Sequence, residues 1–211
     1  FEMFADRFRF PDDVELSIEA DPRLASLGQF RTLRALGFTR ISFGVQDLDP
    51  AVQEAVGRIQ PAERVREVVA AAREAGFRGI NLDLIYGLPR QTVASFSRTI
   101  ETALALAPDR VACFGYAHMP AQRPHQRLID EAELPDAHTR FELFRLAASA
   151  FTDAGYAWIG LDHFARAEDP LAVAQRERRL HRNFMGYTTM PGRHLVGVGM
   201  SAISDVAGCF A

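Results

Sequence analysis

Lysine is absent from this chain of 211 residues; every one of its 24 basic side chains is arginine. That excludes a Schiff-base lysine, a pyridoxal-phosphate enzyme and a Walker-type phosphate lysine within it. Cysteine is nearly absent: Cys113 and Cys209 lie far apart and fit neither a disulfide framework nor a metal knuckle. No apolar run reaches membrane-spanning length and no signal-peptide pattern opens the chain, so no membrane partner is expected and a reduced cytoplasm is the default. An excess of one charge is missing as well. The 24 basic and 27 acidic residues leave a net charge of −3, and the arginines are scattered, which argues against a nucleic-acid partner. Gly (15) and Pro (11) are close to average usage, which rules out collagen-like and low-complexity classes. What is present, 48% hydrophobic residues, suffices for one medium domain or a piece of a larger one. With no initiator Met before Phe1 and no tail after Ala211, the chain is expected to be cut at both ends.

One unit recurs: a helical pattern, a glycine, an aromatic, then a short apolar strand. It stands at Leu36-Gly37-Phe38, Ala75-Gly76-Phe77 and Ala154-Gly155-Tyr156. A glycine in the left-handed conformation ends each helix, and the aromatic packs back as the chain enters the strand. Ala107-Pro108-Asp109 replaces the signal once, with proline as the stop. The best-marked helix follows Pro61, with Val65, Val68, Val69, Ala72 and Ala75 on one stripe and Glu63, Arg64, Glu67, Arg73 and Glu74 opposite. Further helices are expected near 28–36, 93–106, 137–153 and 170–181. Strands are expected at 14–19, 40–46, 80–85, 111–117 and 157–161, with the longest loop from Pro120 to Pro135. Such alternation implies right-handed crossovers and a parallel sheet, as an α/β barrel or an open doubly wound fold.

The strand faces carry the functional signal. Val14, Leu16 and Ile18 alternate with Glu15, Ser17 and Glu19; Ile41, Phe43 and Val45 alternate with Ser42, Gly44 and Gln46; Ile80, Leu82 and Leu84 face away from Asn81 and Asp83. Parallel strands covered on both sides should be nearly all apolar, and a closed barrel fills its interior with branched side chains. One face is instead polar or small, strand after strand, which implies an interior holding water or a polar ligand. Glu19, Gln46, Asp83 and Ala117 are placed at or near carboxyl ends of successive strands, where α/β enzymes put their chemistry. A buried carboxylate needs a partner, so Glu19 and Asp83 meet either a ligand or a structural arginine such as Arg23 or Arg58. Both readings stand at this point.

Other features are less specific. His118 and His163, in Tyr116-Ala117-His118 and Asp162-His163, would suit a metal-dependent barrel hydrolase, but no HxH or HExxH pair supports one. Val196-Gly197-Val198-Gly199 misses the GxGxxG spacing and reads as a close backbone approach to a neighbour or a flat ligand. The run from Gln175 to Arg182 reads as a solvated helix face or a source of guanidinium forks for carboxylates.

Taken in order, SIEADP (Ser17 to Pro22), SFGVQD (Ser42 to Asp47), NLDLIYGLPRQT (Asn81 to Thr92), YAHMP (Tyr116 to Pro120), GLDHFA (Gly160 to Ala165), LHRNFMGYTT (Leu180 to Thr189) and VGVGMSAIS (Val196 to Ser204) resemble one family closely. It is the oxygen-independent coproporphyrinogen III oxidases, or coproporphyrinogen dehydrogenases, within the radical S-adenosylmethionine (SAM) superfamily. GLPRQT and the first three strand motifs are shared with wider relatives; the DHFA and HRNFxGYTT runs are the specific ones. The resemblance implies a partial (βα) barrel of the radical SAM type. Residues 1–211 would then be its central and C-terminal part plus a following segment, without the N-terminal cluster loop and the C-terminal helical domain.

It also implies two bound SAM molecules and a [4Fe–4S] cluster held by a CxxxCxxC loop. Cys113 and Cys209 do not match that loop, so the metal ligands are expected upstream of Phe1 and the segment alone is expected to be inactive. Glu19 resembles the carboxylate that binds the first SAM, with Ile203 packing near it; Gln46, Arg58, Asp83 and Ala117 resemble positions that bind the second. Met185 stands where the family commonly has Gln, so no substrate role is carried over to Phe184 or Met185. The implied reaction turns two propionates of coproporphyrinogen III into vinyl groups, giving protoporphyrinogen IX, through a 5′-deoxyadenosyl radical and with an electron donor. A monomer is expected. The rival within the superfamily is a heme chaperone without decarboxylase activity. Such relatives carry an HNxxYW run where this chain has His181-Arg182-Asn183-Phe184-Met185-Gly186-Tyr187, which favours the enzyme.

Overall fold

The computed structural model describes residues 1–12, 14–183, 185–192 and 194–210. They form two compact units, Phe1–Ala167 and Glu168–Ala211. In the first, the period-2 pattern of Ile41, Phe43 and Val45 becomes a strand whose apolar side is fully buried while Ser42, Gly44 and Gln46 remain half-buried on the other. The elements run α1 (Glu2–Ala5), β1 (Ser17–Ala20), α2 (Leu27–Ala35), β2 (Arg40–Gln46), α3 (Pro50–Ala55), α4 (Ala62–Ala75), β3 (Gly79–Tyr86), α5 (Val93–Ala105), β4 (Arg110–Gly115), α6 (Ala137–Asp153), β5 (Tyr156–Gly160) and β6 (His163–Arg166). The six strands make one sheet in the order β1-β2-β3-β4-β6-β5.

β1 to β4 are parallel, as the helix–strand alternation predicts. The other end of the sheet departs from the expectation of parallel strands throughout. β6 pairs antiparallel with both β4 and β5, because only Leu161 and Asp162 separate it from β5 and so short a connection permits only a hairpin. The first strand begins at Ser17 rather than residue 14. α3 went unread, although Asp49 caps it, accepting from the Ala51 N–H at 3.0 Å, and Pro50 starts it. The expected loop from Pro120 to Pro135 contains two short 3₁₀ turns, Pro124–Leu128 and Glu131–Glu133.

The helix stops behave as read. α4 ends at Gly76 with φ 93°, and the Phe77 N–H returns to the Ala72 carbonyl at 3.1 Å. The buried stripe of α4 is Val65, Val68, Val69 and Ala72. Arg64, assigned to its solvent face, instead reaches across to the carbonyls of Pro22 and Ala25 at 3.0 and 2.5 Å and fastens the approach to α2. The core between sheet and helices is built on Phe30, Phe43, Leu82, Phe96, Leu143 and Phe151, with edge-to-face contacts from Phe30 to Phe43 and Phe77.

The second unit comprises α7 (Pro170–Arg176), a hairpin of β7 (His181–Asn183) and β8 (Gly186–Thr188), and a small antiparallel sheet of β9 (His194–Leu195), β10 (Asp205–Val206) and β11 (Cys209–Phe210). α7 stops at Arg176 instead of reaching residue 181, since Arg178 is left-handed (φ 57°) and β7 follows at once. The arginine run from Gln175 to Arg182 is therefore split over a helix end, a turn and a strand, and presents no single helix face. Gly197 makes the close approach expected of it: an added Cβ would lie 2.7 Å from the Ile203 carbonyl.

Candidate functional site

β1, β2 and β3 stand side by side, so their polar faces merge into one layer. Glu19 is in register with Ser42, and Gly44 with Asp83. Asp83 lies in the middle of β3 rather than at its end; Glu19 and Gln46 are at or next to the ends of β1 and β2, and Ala117 lies two residues past β4. Within the layer Asn81 Nδ2 donates to Asp83 Oδ1 at 2.6 Å and to Ser42 Oγ at 2.8 Å, and Ser42 Oγ donates to Asp83 Oδ2 at 2.8 Å. Burial pushes the Asp83 carboxyl above its ordinary range; the two donors pull it back, and the charge of Glu19 adds to the rise. Asp83 is thus held by neutral donors, not by an arginine.

The arginines expected as structural partners of these carboxylates go elsewhere. Arg23 and Arg58 both converge on Asp21, at 2.7 and 3.5 Å. The Arg23 guanidinium holds the Asp21 carboxyl down at about 2, with Arg58 adding to the effect. Arg58 sits beyond α3 with its side chain only 26% exposed; it donates to the Gly44 carbonyl at 2.9 Å, and its Nε is buried with no hydrogen-bond partner. A donor left so usually marks a missing acceptor. Gly44 faces this cluster, and an added Cβ there would come within 2.8 Å of Gln46 Nε2 and 3.3 Å of Arg58 Nη2. Gln46 itself is left-handed, φ 64°, where the β2–β3 register slips between Gly44 and Gln46.

The structure therefore brings Glu19, Gln46, Arg58 and Asp83 to one polar layer. Ala117 is exposed in the loop after β4, its carbonyl taking a hydrogen bond from Gln126 Nε2 at 3.0 Å. Ile203 belongs to the other unit and is half-exposed just before β10. Phe184 lies outside the described residues. Met185 is exposed, its N–H donating to Asn183 Oδ1 at 2.9 Å. His118 joins Tyr116 and Glu131 through its two ring nitrogens, each at 3.2 Å. Among the described residues no group of three or more His, Cys, Asp or Glu could hold a metal ion, so the hydrolase reading of His118 and His163 finds no geometry behind it.

Sequence reasoning missed a second polar group behind the layer. Asp47, Gln53, Gln60, Gln91 and Thr99 are buried, and all but Gln60 Oε1 find partners for their side-chain polar atoms. The five are scattered over fifty residues, and no period or spacing links them. An open, mainly apolar groove of about 600 Å³, lined by Ile18, Ala20, Phe30 and Leu33 with Asp21, Gln29 and Thr32 among its walls, lies on the other face of β1.

Residues 1–103 match the profile of the radical SAM superfamily. Those residues belong to the radical SAM superfamily. A solved structure of coproporphyrinogen III oxidase from Escherichia coli, a radical SAM enzyme, superposes with a TM-score of 0.96 at 46% identity, covering 99% of this chain and 48% of that one. Oxygen-independent coproporphyrinogen III oxidases from Bradyrhizobium diazoefficiens and Thermostichus vulcanus are 51% and 47% identical, over 92% and 97% of this chain and 43% and 63% of their own length. The chain spans about half the length of most curated relatives it matches. The radical SAM architecture of the sheet and the resemblance read from the motifs are both borne out.

A radical SAM protein implies SAM and a [4Fe–4S] cluster, and the residues here fit the first only. The unpartnered Arg58 Nε, the crowded Gly44 and the carboxylates of the polar layer suit a zwitterionic amino acid and a ribose. Cluster ligands are another matter. Cys113 is buried, and desolvation drives its thiol far above the ordinary range, while Cys209 is in the other unit.

Proposed function

We propose that this chain is the SAM-binding part of an oxygen-independent coproporphyrinogen III oxidase, which converts two propionates of coproporphyrinogen III to vinyl groups and yields protoporphyrinogen IX. The observation that carries this reading is similarity over the whole chain, at 46% identity and a TM-score of 0.96, to an enzyme bearing that name. When bound, SAM would supply one-electron hydrogen abstraction.

The residues here bind and orient. Glu19 takes the first SAM; Gln46, Arg58, Asp83 and Ala117 take a second. Asp83, already holding donors from Ser42 and Asn81, accepts a ribose hydroxyl or an amino group with its remaining lone pairs. Arg58 turns its buried Nε–H toward a carboxylate, a bidentate geometry lysine could not offer. Half-buried side chains along β2 and β3 keep bulk water from these contacts, which strengthens each of them.

The test is an anaerobic assay of the full-length, cluster-bearing protein with coproporphyrinogen III, SAM and a one-electron donor. Formation of protoporphyrinogen IX is expected. Stable heme binding without any product would replace the enzyme with the chaperone.

A further inference from the structure

Beside the polar layer lies a buried polar network. Asp47 is 2% exposed. Its Oδ1 accepts from the Asp49 N–H at 2.6 Å and from Thr99 Oγ1 at 3.0 Å; its Oδ2 accepts from Gln91 Nε2 at 2.6 Å. Every partner has a fixed direction. Gln91 spends its other amide hydrogen on the Ile85 carbonyl at 2.9 Å and its oxygen on the N–H of Gly87 and Leu88. Thr99 Oγ1 accepts from the Leu48 N–H at 3.2 Å, which turns its own hydrogen toward Asp47. One carboxylate thus ties the end of β2 to the end of β3 and to α5.

A second clamp starts from the same residue. Gln53 Nε2 donates to the Asp47 carbonyl at 2.9 Å and to the Gln60 carbonyl at 2.8 Å, and Gln53 Oε1 accepts from the Gln60 N–H at 2.9 Å. That closes the segment from 53 to 60 into a loop, with Arg58 inside it. Gln60 Nε2 in turn donates to the carbonyls of Val45 and Gly44, and the latter also receives Arg58. Two of the four residues that resemble second-SAM contacts, the left-handed Gln46 and Arg58, are therefore fixed by hydrogen bonds that start at Asp47 and Gln53.

We infer that Asp47 and Gln53 are positioning residues that set the bend at Gln46 and the direction of the Arg58 guanidinium for SAM. The inference rests on the function proposed above and adds to it the groups that preorganise the site. A fixed bend matters because a non-glycine residue in that conformation costs free energy and persists only when its surroundings hold it. A side chain held in place before binding loses less entropy when the ligand arrives.

The test uses the full-length, cluster-bearing protein under anaerobic conditions, with SAM affinity read by equilibrium dialysis and cluster content by visible absorbance. Asp47→Asn sets an amide N–H against the Gln91 N–H and weakens SAM roughly tenfold, while cluster content stays as in the parent. Gln91→Glu alone does the same by opposing two carboxylates. Combining Asp47→Asn with Gln91→Glu lets the new amide donate to the new carboxylate but leaves that carboxylate against the Ile85 carbonyl, so the affinity returns only in part. Parental affinity in Asp47→Asn overturns the inference. Should Asp47→Asn fail to fold, Gln53→Met decides, because it leaves the carboxylate network whole and opens only the Arg58 loop; unchanged affinity there overturns it equally. Gln46→Ala and Arg58→Ala separate the two levels. If neither weakens SAM, the cofactor assignment itself is wrong; if both do and the Asp47 and Gln53 variants do not, only the positioning role is.

Discussion

The open polar layer of Asp83, within β3, and the polar network of Asp47, just past the end of β2, share a chemistry, yet they are built to opposite ends. Burial raises both carboxyls above their ordinary range. Asp83 has two neutral donors, with a second carboxylate, Glu19, close enough to add to the rise. Asp47 has three donors, each turned by a further hydrogen bond or by the backbone itself. Asp83 keeps two lone pairs to spare and Asp47 only one. The difference teaches how to separate a binding carboxylate from a structural one in the same sheet: count the acceptor capacity left over, not the depth of burial.

Substitution should pull these roles apart. In the full-length protein Asp83→Ala lowers SAM affinity roughly ten- to a hundredfold, the loss of charge-assisted hydrogen bonds, while the unfolding midpoint in urea holds or rises. The sign follows from linkage. A carboxyl whose folded pKa is raised favours the fold at low pH and loses that contribution as pH rises through the raised value, so at neutral pH its removal relieves a cost. Asp83→Ala with parental SAM affinity would end its assignment.

Thr99→Val does the reverse. It strands the Leu48 N–H and takes one donor from Asp47, and is expected to cost about 1–3 kcal/mol in chemical denaturation. Gln46→Gly is a finer probe. Its left-handed backbone is relieved by roughly 1 kcal/mol while the side-chain amide is lost, so thermal stability rises and SAM affinity falls. The smallest effect belongs to Asp21. Its carboxyl, held at about 2, stabilises the fold above the ordinary carboxylate range and loses this as pH falls toward 2. Since the ion pair is partly open to solvent, Asp21→Asn should shift the acid limb of a stability–pH curve by less than about 1 kcal/mol.

The polar layer was legible in the sequence because a strand writes its two faces at period 2. Ser42, Gly44 and Gln46 on one strand and Asn81 and Asp83 on the next needed only parallel pairing to become a single surface. The stops at Gly37, Gly76 and Gly155 were legible for the same local reason. The sheet's antiparallel end was not, because the sequence 156–166 shows one apolar run and the reversal depends on pairing with β4, a long-range choice. Nor was the Asp47 network. Gln53, Gln60, Gln91 and Thr99 come from a short helix, a loop, a helix approach and a helix, and only the fold gives them a common address. Arg23 and Arg58, one of the two alternatives open for Glu19 and Asp83, meet Asp21 instead, which follows Glu19 by two residues just after β1 has ended.

The hairpin of β5 and β6 has a kinetic consequence. Each parallel rung of the sheet waits for a whole crossover helix to form and swing back, whereas a hairpin closed through Leu161 and Asp162 forms on the order of microseconds. Its inner strand then offers β4 a ready edge, and the Cys113 N–H fastens to the Asp162 carbonyl at 2.7 Å in the turn itself. On this route β4 leaves the ribosome before β5 and β6 and is paired after they have met. Pulse-labelled hydrogen exchange should show protection of the Ala157 and Ala165 amides, which face each other within the hairpin, ahead of those in β2; the reverse order would show that the parallel ladder nucleates first.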